Sequence, residues 1–295
     1  SVGPADEAGQ GVTNYTVTSS LPGLFAVGPA VALDGTLTFT PAANSNGIAT
    51  ITVIAQDNGG TANGGADRAT NSFTITVSAV NDAPSFTMAS NNVVVLEDAG
   101  LVTLAGFITS VSPGPADEAA QSVTNFVVVA TNSALFAVAP AIGTNGTLTF
   151  TAATNVSGVA TVFVQAQDDG GTANGGTNGS LKQSFTITIS DVNDAPIITL
   201  TTNTVFGSED SGAQTITAFA TFLTIESGQA ITSVSATNSN PALFAVQPYF
   251  TTDGTLRFTP APNSTGTGIV TVVVQDNGGT ASGGVDMATN TFTVI

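Results

Sequence analysis

Cysteine, histidine and tryptophan are absent from this 295-residue chain, and lysine plus arginine together number 3 against 20 acids. Each absence excludes something. Without histidine or cysteine, and with Lys182 as the one lysine, the usual catalytic triads and thiolate nucleophiles cannot be assembled. Zinc has no nitrogen or sulfur ligand to choose. With so few bases there is no cationic surface to displace counterions from phosphates, which argues against nucleic acid as a partner. Anionic lipid is disfavoured for the same reason. No apolar run is long enough to span a bilayer, so no membrane insertion is expected of this segment, and no stretch reads as a signal peptide. Ser1 falls in mid-repeat, so any targeting signal is expected outside this stretch. The lack of cysteine leaves the compartment to be argued another way.

What the chain does have is 42% apolar residues, low charge and regular patterning, which exclude a disordered acidic tail. One passage is written three times. GTLTFTPAANSNGIATITVIAQDNGGTANGG runs from Gly35 to Gly65, with close copies from Gly146 and Gly254. The tetrapeptide LFAV starts at Leu24, Leu135 and Leu243 and sets the period: 135 − 24 = 111 and 243 − 135 = 108. That is too long for a solenoid unit and matches a self-sufficient domain.

The local pattern is β throughout. Phe73, Ile75 and Val77 alternate with threonines, and the runs Ser184–Ile189 and Thr291–Ile295 repeat the alternation. Asp34-Gly35, Asn145-Gly146 and Asp253-Gly254 each precede a strand and supply hairpin chemistry. The middle copy predicts about seven strands, starting near Ser85, Asn92, Leu101, Val123, Leu135, Thr147, Val159 and Gln183, the first two sharing one edge. Strands of this length and spacing predict an all-β fold of tandem seven-stranded immunoglobulin-like sandwiches in an extended array. Phe107, Phe126, Phe136, Phe150, Phe163 and Phe185 are the candidate core; a small barrel is the alternative. The expected repeats span 1–82, 83–193 and 194–295. The first is expected to lack its opening strands, because Ser1–Glu7 aligns with Ser112–Glu118, and the third to end within its last strand.

The acids cluster where repeats meet. Copy one closes on Val80-Asn81-Asp82-Ala83-Pro84, and copy two on Asp191-Val192-Asn193-Asp194-Ala195-Pro196. This DVNDAP junction resembles the cadherin linker, and the preceding AQDNGG loop resembles the cadherin A-x-D-x-G segment. The whole unit is similar to the bacterial cadherin-like and immunoglobulin-like tandem repeats of giant secreted or surface proteins, many of them adhesins. The resemblance implies calcium at the junctions and a location outside the cell, either secreted or on the surface. With the linker entering at the top of a sandwich, the second-to-third and sixth-to-seventh strand loops share that end. Asp117, Glu118, Asp168 and Asp169 are then expected to face Asn81 and Asp82. Asp191, Asn193 and Asp194 are expected to face Glu226 and Asp276. Glu97 and Asp98 meet the following linker from below, in the role of the cadherin first-strand glutamate, and Glu209 and Asp210 do so for a junction beyond Ile295. Asp6, Glu7 and Asp57 hold the corresponding places in copy one.

Calcium takes six to eight oxygens, which carboxylates, asparagine and backbone carbonyls provide, and clustered acids without a cation repel one another. The acidic motif that follows the fifth strand in cadherins is replaced here by Pro41-Ala42-Ala43-Asn44. Copy three keeps only Glu226 beside Gln229, where Gln10 and Gln121 stand in the others, so its junction is expected to hold fewer ions. The bland alternative is a stiff turn set by Pro84 and Pro196. Asp34 and Asp253 read as hairpin residues, and Asp67 and Asp286 as loop caps. The GGTANGG segment lacks a lysine and a following helix, which argues against a phosphate cradle.

Repetition of the acids at each junction points to a repeated mechanical task rather than catalysis. The expected function is an extracellular stalk whose partners are neighbouring repeats of the same protein. The alternative is a filament of identical chains joined by strand donation. A module that recognises glycans, or ice through outward rows such as Thr74 and Thr76, is a third reading. It calls for one copy to depart from the others at an exposed patch, and no clear departure is expected.

Overall fold

The computed structural model describes residues 7–295, so Asp6 lies outside the described residues. Twenty-three β-strands and a few single 3-10 turns make up the described residues, an all-β architecture. The first repeat contains β1 (Val12–Ser19), β2 (Phe25–Val31), β3 (Leu37–Pro41), β4 (Gly47–Asp57) and β5 (Arg68–Val77). They form a sheet in the order β1-β4-β5 and a β2-β3 pair.

The second repeat is fuller. Its strands are β6 (Ser85–Met88), β7 (Asn92–Leu96), β8 (Leu101–Leu104), β9 (Ile108–Ser112), β10 (Val123–Ala130), β11 (Phe136–Ile142), β12 (Leu148–Ala152), β13 (Gly158–Asp168) and β14 (Gln183–Ser190). One face is the sheet β10-β13-β14-β7; the other combines β11-β12-β8 with the pair β6-β9. The opening strand is divided between the two faces. Its first part, β6, runs antiparallel to β9, whereas β7 crosses over to pair parallel with β14, Asn92 opposite Thr186. The third repeat repeats this plan in β15 (Ile197–Leu200), β16 (Thr204–Val205), β17 (Gln214–Ile216), β18 (Ala220–Leu223), β19 (Ile231–Asn238), β20 (Phe244–Phe250), β21 (Leu256–Pro260), β22 (Gly268–Asp276) and β23 (Met287–Val294).

Two sequence expectations need correction. The strand β9 has no counterpart among the expected starts. It continues β8 after a break at Gly106, whose φ of +67° suits glycine, and its Ile-Thr-Ser-Val-Ser carries too little alternation to announce a strand. Phe163 is not in the core. Along β13 the inward positions are Ala160, Val162, Val164 and Ala166, so the intervening Phe163 points outward and is 40% exposed. With Val127 and Val129 it makes an apolar patch on the second repeat. The other copies place Thr16, Thr18 and Thr52, or Ser235, Thr237 and Thr271, at these positions, so one copy does depart from the others there.

The remaining phenylalanines pack as expected. Phe107, Phe126, Phe150 and Phe185 are buried, with Phe136 partly buried against them and Phe86 added from β6. Edge-to-face pairs Phe86–Phe126 and Phe136–Phe150 sit at 5.7 and 5.8 Å. In the first repeat, Leu37, Phe39 and Phe73 are all partly exposed, whereas their counterparts Leu148, Phe150 and Phe185 are covered by β6–β9.

Candidate inter-repeat junction site

Asn81 and Asp82 follow β5, and the elements that receive them come from both ends of the second repeat's sequence. The loop after β9 carries Glu118 in a 3-10 turn, Ala116–Glu118, and β13 ends on Asp168 at the mouth of the next loop. Asn81 Nδ2 donates to Asp168 Oδ1 at 3.0 Å and to the Thr177 carbonyl at 2.8 Å. Its own carbonyl accepts from Thr177 N at 2.8 Å. Next along, the Asp82 backbone N–H donates to Glu118 Oε1 at 2.7 Å. The same bonds recur at the second junction. Asn193 Nδ2 donates to Asp276 Oδ1 at 3.1 Å and to the Val285 carbonyl at 2.7 Å, and Asp194 N donates to Glu226 Oε1 at 2.5 Å.

Glu97 reaches the second linker from the other side. Its Oε1 accepts from Val192 N at 2.8 Å, and its backbone N–H donates to the Ser190 carbonyl at 2.9 Å. The side chain is 2% exposed. Burial first, then the neighbouring Asp191 and Asp98 charges, push its carboxyl above the ordinary value. Asp194 is raised likewise, by burial and then by Asp98, Glu226 and Asp191. Five acids thus feel one another across this junction.

The distinguishing feature is what the second oxygens do. Glu118 Oε2, Asp168 Oδ2 and Asn81 Oδ1 are buried without any hydrogen-bond partner, and so are Glu226 Oε2, Asp276 Oδ2, Asn193 Oδ1 and Glu97 Oε2. Gln121 Oε1 and Gln229 Oε1 share that condition. An unpaired buried acceptor costs about 1–3 kcal/mol, and more when charged. Among the described residues the one ion pair is Arg68–Asp67 at 4.0 Å, so no base neutralises a junction. No group of three or more carboxylates suited to a metal is gathered among the described residues. Each junction instead offers buried carboxylates supplemented by amide oxygens, a set of hard donors that fits calcium.

Other acids singled out in the sequence lie at the margin. Asp169 accepts from Ser122 N at 2.9 Å and ties the two loops together. Asp117 is exposed and accepts from Asn46 of the first repeat at 3.4 Å. Asp82, Asp98 and Asp191 are exposed, and Asp98 and Asp210 adopt positive φ in turns. Glu209 and Asp210 are exposed on the third repeat. In the first repeat Asp57 accepts from Gly59 N at 2.8 Å, and Glu7 is half-buried. Asp34 and Asp253 serve hairpins, accepting from Thr36 N and Thr255 N at 2.9 and 3.1 Å. Asn155, not anticipated, donates to Asp194 Oδ2 at 2.9 Å from the lower end of the second repeat. The three glutamines were visible only as a residue repeated at one place in every copy.

Residues 193–288 match the family described as Bacterial Ig domain. The first two repeats carry the same tetrapeptide and glycine-rich passages as this matched stretch. No curated protein matches the chain. Similar solved structures include the EC1-3 fragment of mouse protocadherin-24, 12% identical over 95% of this chain and 89% of that one, with a TM-score of 0.43. The ectodomain of human desmocollin-1 is 17% identical over 95% of this chain, which spans 53% of its length, with a TM-score of 0.41.

Proposed function

We propose that the chain is a structural stalk or extender segment of a repetitive extracellular protein, stiffened by calcium where repeats meet. The observation that carries this reading is the recurrence, at both junctions, of buried carboxylate oxygens with neither a hydrogen-bond donor nor a base beside them. Glu118, Asp168 and Asn81 would hold the ion at the first junction. Glu97, Asp194, Glu226, Asp276 and Asn193 would do so at the second. Bound calcium supplies the positive charge that offsets their repulsion. The protein's own part is positional: one oxygen of each glutamate fixes a linker N–H, leaving the other free for a ligand. A segment held from both sides samples fewer orientations, so occupancy of the junction selects an extended array. Extracellular modules bind calcium at about 10⁻⁴–10⁻³ M, which makes the array rigid outside a cell and slack within.

Small-angle scattering in millimolar calcium and then in chelator tests this. The longest dimension is expected to shrink or blur on chelation and to recover with calcium but not with magnesium. A profile indifferent to both would overturn the calcium reading. A filament of identical chains joined by strand donation is the second reading. Large assemblies in either buffer would bring it forward.

A further inference from the structure

The glycines that flank each junction asparagine are there for room. Gly278 and Gly284 have no need of glycine's special backbone: neither has positive φ, and Gly284 sits at −58°. A methyl group on Gly278 would overlap Asn193 Oδ1, and one on Gly284 would come within 3.0 Å of Asn193 Cβ and 3.1 Å of its backbone nitrogen. Gly170 and Gly176 stand in the same relation to Asn81, at 2.9 Å from its nitrogen and 3.0 Å from its Cβ in the case of Gly176. The asparagine therefore enters a slot cut to its shape. Its amide donates to a carboxylate and to loop carbonyls: Asp276, Gly279 and Val285 at one junction, Asp168 and Thr177 at the other. None of these bonds uses an ion.

The slot is built before anything enters it. In the first repeat, where among the described residues no asparagine is inserted, Asp57 Oδ1 accepts from Gly59 N at 2.8 Å. Its counterparts do the same, Asp168 from Gly170 at 2.9 Å and Asp276 from Gly278 at 3.0 Å. The turn closing the loop is also unchanged, with Gly65, Gly176 and Gly284 each donating at 3.0 Å to the residue three before. The glutamine keeps its place as well: the Gln10 side chain lies over Gly59, as Gln121 and Gln229 lie over Gly170 and Gly278 beside the inserted asparagine. Preorganisation of this kind means that insertion costs little reordering.

We infer that the Asp-x-Gly…Gly loop at the end of each repeat is a metal-independent receptor for the linker asparagine, and that this peg sets how neighbouring repeats are oriented. At the second junction the linker is clamped on both sides. Val192 is held from below by Glu97 and Asn193 from above by the slot, with no free residue between them. Calcium then tightens a junction whose geometry the asparagine has already chosen. The inference does not depend on calcium binding and survives if that reading fails.

The absence of cysteine allows specific spin labelling at Ser133→Cys and Ser235→Cys, both exposed, one in each of the flanking repeats. Label-to-label distances in the full chain are measured in chelator. The parent chain is expected to give one narrow distribution. Asn193→Ala and the isosteric Asn193→Asp should each broaden it about twofold, since loss of the seated bonds lets unseated orientations become populated. Gly278→Ala should do the same by expelling the peg, and the Asn193→Ala/Gly278→Ala pair should be no worse than either alone, the non-additivity expected of groups in direct contact. Melting curves establish that every variant remains folded. A broad distribution for the parent chain in chelator, or narrow ones for both Asn193 variants, would overturn the inference.

Discussion

At the scale of single residues, Glu97 shows how a junction can hold a charge at some expense to stability. One oxygen receives the Val192 N–H, while the other is buried with nothing to bind and with Asp191 and Asp98 close enough to raise its carboxyl. Glutamine at this position keeps the acceptor and removes the charge. In chelator, Glu97→Gln is expected to raise the melting temperature, because it removes a buried uncompensated charge and its repulsion with Asp191 and Asp98. In calcium the parent chain should gain stability and the variant should gain little. A variant that melts lower than the parent in chelator would show that the carboxylate stabilises the junction without an ion. Asn81 and Asn193 illustrate the opposite economy, neutral side chains whose donors are all used and whose one idle oxygen faces a glycine.

At the scale of strands, coverage rather than composition separates the first repeat from the second. Phe150 in β12 is 0% exposed and Phe39 in β3, its counterpart, is 39% exposed. Phe150→Ala is therefore expected to cost about 3–5 kcal/mol, with Phe39→Ala costing clearly less, read from denaturant midpoints of the two variants. Equal losses would mean that Phe39 is covered in solution, as an inter-chain strand would cover it. The period-2 signal made most strands legible, because alternation of Phe, Ile and Val with Thr records which face is buried. The same rule misled at Phe163, where identity as a large apolar residue was read ahead of its position in β13. Strand β9 was hidden because a strand paired at one edge and broken by Gly106 leaves little periodicity. In the candidate site the carboxylates were legible as repeated acids beside a turn. The slot glycines were not, since glycine needed for space looks the same in sequence as glycine needed for a turn.

At the scale of the whole molecule, a net charge of −17 with three bases makes the array self-repelling, and the repulsion concentrates at the junctions. The direction of its pH dependence follows from Glu97 and Asp194. Both are raised in the folded chain above their ordinary values of 4.5 and 3.8, so between the ordinary and raised values the folded state binds more protons than the unfolded one. Their contribution is most favourable below the ordinary values and is lost as pH rises through the raised ones. Asp34 and Asp253 are lowered by their hairpin hydrogen bonds, so their contribution is lost only as pH falls below 3.8. In chelator the melting temperature should accordingly fall as pH rises above 3.8, where the Asp194 window opens, and further above 4.5, where that of Glu97 opens. Scattering should show the junctions loosening over the same range. High monovalent salt should recover part of the loss by screening the exposed acids, while millimolar calcium at neutral pH should recover all of it. If stability instead rises steadily from acid to neutral pH in chelator, the buried acids already find partners within the chain, and the junctions hold without any cation.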